Sequence, residues 1–111
     1  MDSILFLLNS TPSSPNAARA FMAALTLRTQ GHPVSLCLMQ DAVLAGLETG
    51  EDGVNARTAH VLQAGVSMYA LGEDLALRGF TPQKLYAGIQ VADYPQLLDL
   101  FEQHARVIGA L

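Results

Sequence analysis

Short apolar runs recur along this chain, and each is followed by a stretch with helical spacing. That alternation constrains the fold more than any other feature. Ser3–Asn9 (SILFLLN) carries no charge and stops at a cluster of turn residues, so it reads as a strand buried on both faces. Pro33–Met39 (PVSLCLM) and Val66–Leu71 (VSMYAL) have the same character, Ile89–Ala92 is a shorter fourth run, and Val107–Ala110 a fifth. Continuous apolar runs, as opposed to alternating ones, belong to parallel sheets with helices on both faces. The expected fold is therefore α/β with a mostly parallel sheet, in one domain over residues 1–111.

The connecting segments supply the helices. Ser14 is placed to cap a helix with Pro15 at its first position, and Ala18, Phe21, Met22 and Leu25 form one predicted face. Gly31 ends it. Ala42–Leu47 predicts a short helix, and Glu48–Gly53 (ETGEDG) a polar surface loop. Asn55 caps a predicted helix through Gln63, stopped by Gly65. Gly72–Leu77 is a short helix ending at Arg78-Gly79, and Thr81-Pro82 opens one more turn, ended by Gly88. Asp93 and Gln96 have capping-box spacing, with Leu97, Leu98 and Phe101 as the predicted buried face of the last helix.

Charge narrows the partners. Only 14% of residues are charged against 50% hydrophobic, where about 25% charged is usual. So small a domain has much surface to cover, and this shortage points to surface hidden against other subunits. The net charge is −4 and the six basic residues stand singly, which argues against direct nucleic-acid binding. The purely apolar run Ile4–Leu8, like every other in the sequence, is too short to span a membrane. No positive n-region precedes it, so no signal peptide is expected. The lone Cys37 excludes an intramolecular disulfide and points to a reducing, cytoplasmic setting.

Ligands of open parallel sheets bind beyond the carboxyl ends of the strands. Those ends carry Asn9 and Ser10, then Gln40 and Asp41, then Gly72, Glu73 and Asp74, then Asp93 and Tyr94. The hydroxyl-rich loop Ser10–Ser14 has no glycine and matches no phosphate-binding motif, so it reads as a turn and helix cap. Asp41 reads as a cap, because the acidic pair and late lysine of a phosphoacceptor site are missing. Cys37, between Leu36 and Leu38, reads as core. His32, His60 and His104 are scattered, and neither a metal nor a cofactor is expected. Asp74 and Arg78, four apart, are expected to pair along the short helix.

Two segments carry a family resemblance. Leu36–Leu47 (LCLMQDAVLAGL) resembles the second strand and following helix of YchN-like members of the DsrE/DsrF/DsrH family of small sulfur-relay proteins. Tyr69–Gly79 (YALGEDLALRG), with Asp93-Tyr94, resembles the DsrH/TusB branch. The resemblance implies a three-layer α/β/α domain with a five-stranded parallel sheet in the order 4-3-2-1-5. It implies a trimer or hexamer, of this chain or with paralogous DsrE- and DsrF-type chains. It also implies a part in passing persulfide sulfur between proteins.

Sulfur-carrying members place cysteines after strand three, and counting back from Arg78-Gly79 puts Leu71 and Asp74 at those positions. Neither is a thiol nucleophile. The resemblance thus implies a subunit that shapes an assembly or docks partners without holding sulfur. Two rivals stand beside it: a sulfur carrier acting through Cys37, and a small-molecule-binding oligomer using Asn9, Ser10, Asp41, Glu73 and Asp74.

Overall fold

A computed structural model describes residues 2–49, 56–109 and 111. Five parallel strands, β1 (Ile4–Leu8), β2 (Val34–Leu38), β3 (Ser67–Leu71), β4 (Gln90–Ala92) and β5 (Arg106–Ile108), form one sheet in the order β4-β3-β2-β1-β5. The fold class and strand order are those expected. β1 lies between β2 and β5, with Ile4 beside both Val34 and Arg106.

Strand side chains alternate between the two faces of a sheet, which splits the core in two. Ile4, Phe6, Leu8, Leu36 and Leu38 pack with α1 (Pro15–Thr29), α2 (Ala56–Gln63) and Leu75 of α3 (Gly72–Leu77). Leu5, Cys37, Leu71 and Ala92 pack with Leu97 and Leu100 of α4 (Tyr94–Gln103). The second face has less cover, and Leu7, Met39, Tyr69 and Phe101 are only partly buried there.

Caps set the helix starts. The Ser14 hydroxyl accepts the Ala17 amide at 3.0 Å, and Asp93 and Gln96 form the complete capping box. Between β2 and α2, Gln40–Gly46 is a 3-10 helix. Thr58 of α2 donates its hydroxyl to the Ala45 carbonyl at 2.7 Å. Gly46 is where chains meet closely: a Cβ there would lie 2.9 Å from Leu85 Cδ2.

Two helix faces differ from expectation. In α1 the buried residues are Ala17, Ala20, Phe21 and Ala24, while Ala18 and Met22 are exposed. Three small alanines let the helix lie close to the sheet, and that contact outweighs the pull of the larger Met22. In α4 Leu100 is buried and Leu98 faces out. Glu48 and Thr49 are exposed turn residues, whereas the rest of the expected loop and the Asn55 cap lie outside the described residues. No helix among the described residues is long and apolar enough to cross a membrane.

Candidate functional site

β2 and β3 end side by side, Leu38 beside Ala70. After β2 the backbone turns at Gln40 with φ +51°, in the left-handed region that L side chains rarely adopt. The Gln40 amide donates to Asp74 Oδ2 at 2.7 Å. Asp74 is buried in the first turn of α3, where the helix dipole favours negative charge. Its carboxylate thus fastens the start of the 3-10 helix to the start of α3.

Arg78, at the other end of α3, completes the tie. Its Nε and Nη2 donate to Asp41 Oδ1 at 3.1 and 2.8 Å, and its Nη1 donates to the Asp74 carbonyl at 3.0 Å. The side-chain pair expected between Asp74 and Arg78 gives way to this arrangement. Asp74 accepts a backbone amide instead, and Arg78 reaches a carboxylate 37 positions earlier. Asp41 is largely exposed, so the ion pair is solvated.

The other candidates are placed as follows. Leu71 is 2% exposed, packed with Cys37 and Ala92. Gly72 opens α3 and Glu73 is exposed beside it. The Asn9 and Ser10 amides donate to the Leu111 carbonyl at 2.8 and 3.0 Å, and the Ser14 hydroxyl donates to Ser10 Oγ. The fold therefore brings Asp41, Asp74 and Arg78 together, whereas Asn9 and Ser10 bond within their own corner.

Cys37 is fully buried in β2. Burial, and secondarily the negative charge of Asp74, push its thiol up to about 12. Reactive thiols have the opposite surroundings, partly exposed and electropositive.

One polar pair was hidden from sequence reasoning. His104, capping the end of α4, bonds through Nδ1 to the Leu100 carbonyl at 2.7 Å and through Nε2 to the hydroxyl of buried Ser35 at 2.8 Å. The carbonyl can only accept, so Nδ1 carries the proton, and Nε2 shares a second hydrogen bond with the Ser35 hydroxyl. The partners are 69 positions apart, and no local pattern announces them.

Among the described residues no cluster of His, Cys, Asp and Glu could hold a metal ion. A groove of about 440 Å³ is lined by residues of α1 and α2 and includes none of the strand-end candidates.

Comparison with known proteins adds the family. Protein TusB of Serratia proteamaculans (strain 568) is 40% identical over 72 residues, covering 62% of this chain and 66% of that protein. The chain thus spans just under two thirds of that relative's length. Among solved structures, the ychN protein from E. coli superposes with a TM-score of 0.86 at 22% identity, over 97% of this chain and 98% of that one. BT1422 from Bacteroides thetaiotaomicron, a conserved protein of unknown function, gives 0.81 at 17% identity, over 98% and 95%. These two share the fold. The model of the DsrH-like proteins matches residues 13–107, nearly the whole length, and the chain belongs to the DsrH-like family.

Proposed function

We propose that this chain is a subunit of a cytoplasmic sulfur-relay assembly and holds no sulfur itself. Membership of the DsrH-like family supports the relay setting. One observation carries the rest. The positions where sulfur-carrying relatives place cysteines hold Leu71 and Asp74, 2% and 7% exposed.

Relay requires a thiolate to attack the terminal sulfur of a donor persulfide. The donor's S–S bond breaks as the new one forms, and the donor leaves as a thiolate. Leu71 has no lone pair to offer, and the Asp74 carboxylate is engaged by the Gln40 amide. Cys37, the chain's single thiol, is enclosed and strongly protonated. The sulfur then travels on a neighbouring subunit, and this chain supports that neighbour within a trimer or hexamer.

The test is radiolabelled persulfide transfer. The chain is purified alone and together with DsrE- and DsrF-type paralogues, then offered a labelled persulfide donor. Label is expected on a paralogue and not on this chain. Label on this chain that disappears with Cys37→Ser overturns the reading, as does a monomer that binds no paralogue at micromolar concentration.

A further inference from the structure

The groove between α1 and α2 takes no part in the strand-end site. It holds about 440 Å³, within the range of small-molecule sites, and none of the strand-end candidates lines it. Phe21 is 3% exposed and forms its floor, whereas Met22 stands at its rim, 70% exposed. Among the described residues, Arg57 and His60 are its only polar side chains, and every other lining side chain is apolar.

This lining selects by chemistry. A peptide, sugar or nucleotide brings amides or hydroxyls that a wall of Phe, Met, Val and Ala side chains cannot bond, and burying them unpaired costs free energy. Alkyl surface meets no such cost and gains by leaving water. The polar groups have one sign. Arg57 and His60, three apart on α2, are neighbours on one helix face. Neither α1 nor α2 contains Asp or Glu. Glu73 and Asp74 of α3 belong to the same side of the sheet but do not line the groove. The Arg57 guanidinium is held 5.0 Å from the centre of the Phe21 ring and donates through Nη2 to the Pro12 carbonyl. Its planar fork matches a carboxylate, which would join these contacts and not displace them.

We propose that this groove binds the free anion of a medium-chain alkyl carboxylic acid. The alkyl chain lies over Phe21, against Met22 and Val61, and the carboxylate meets Arg57 beside His60. Exposed apolar surface rimmed by polar groups is the mark of a ligand groove. A cationic amphiphile of the same length sets like charge against Arg57. The site uses neither a thiol nor another chain, so it stands or falls apart from the relay reading.

Calorimetric titration of the full chain with decanoate, below the concentration at which decanoate forms micelles, tests it. Saturable binding of a single decanoate per chain is expected, with amide shifts in nuclear magnetic resonance spectra centred on α1 and α2. Decyltrimethylammonium, with the same alkyl chain and the opposite charge, is expected to bind at least about tenfold more weakly. Arg57→Gln should weaken decanoate by about tenfold and leave decyltrimethylammonium no weaker. Ala18→Trp, at an exposed position of the lining, fills the groove and should abolish decanoate binding with an unchanged far-ultraviolet spectrum.

A wild type without saturable decanoate binding overturns the proposal. Equal affinities for the two amphiphiles overturn it too, as does full decanoate affinity in Ala18→Trp. Where Arg57→Gln does not fold, Ala18→Trp and the ammonium compound still decide. Phosphatidylglycerol vesicles separate a free acid from a lipid surface. The protein is expected to stay in solution when they are sedimented, and co-sedimentation that Ala18→Trp abolishes would assign the groove to a membrane and overturn the free-acid ligand.

Discussion

The Asp74 carboxylate accepts the Gln40 amide at 2.7 Å and holds a non-glycine residue at φ +51°. Removing the carboxylate strands a donor in a strained turn. Asp74→Ala is expected to lower stability by about 1–3 kcal/mol, read from the urea midpoint. Gln40→Gly relieves the turn and keeps the amide, so it should stay within about 1 kcal/mol of wild type. Equal losses from both would show that the Gln40 side chain, and not its backbone, matters.

The Cys37 thiol gives an alkaline signature. Its value rises from 9.0 to about 12 on folding. Between those limits the unfolded chain has lost the proton and the folded chain keeps it. The contribution is fully present below pH 9 and is lost as the pH climbs toward 12, at up to about 1.4 kcal/mol per pH unit. Cys37→Ala should flatten that slope in denaturation curves taken across the range. In the native protein, iodoacetamide should label Cys37 far more slowly than in urea.

Ser35 and His104 join the middle of the sheet to the end of α4. Ser35→Ala leaves the imidazole Nε2 without its hydrogen-bond partner and should cost about 1 kcal/mol. The loss should appear first as faster amide exchange in the last turn of α4. Unchanged exchange there would show that water replaces the hydroxyl at no cost.

Gly46 and Gly79 separate crowding from backbone strain. A Cβ at Gly46 meets Leu85 Cδ2 at 2.9 Å and Ile89 Cδ1 at 3.3 Å, inside the core. Gly46→Ala is expected to cost about 1–3 kcal/mol through overpacking. Gly79 has φ +81° and nothing within 4 Å of such a Cβ. Gly79→Ala should therefore cost only the left-handed strain, about 1–2 kcal/mol. Melting temperatures of the two variants rank these effects.

The sheet was legible because β1, β2 and β3 are apolar on both faces, a pattern that few other settings tolerate. Helix caps were legible because Ser14 and Asp93 bond within their own turns. The inward face of α1 was not, since its contact is made by Ala17, Ala20 and Ala24, whose small size is their contribution and whose hydropathy is weak. Met22 and Leu98 misled for the complementary reason: both are strongly apolar and both face outward. At the site, topology placed Asp41 and Asp74 at neighbouring strand ends. The choice of Asp41 as Arg78's partner depended on a tertiary approach across 37 residues that helical spacing cannot encode.

The position of β5 has a consequence for how the molecule is made. β1 is formed by the first residues, yet one of its two edges is closed only by Arg106–Ile108. During synthesis β1 can pair with β2 early, but its other edge stays open until Arg106–Ile108 has emerged. An open strand edge is a template for pairing with other chains. The time between these two events is the interval in which a nascent molecule is most exposed to mispairing, and slowing translation between the segments that encode β2 and β5 should lengthen it.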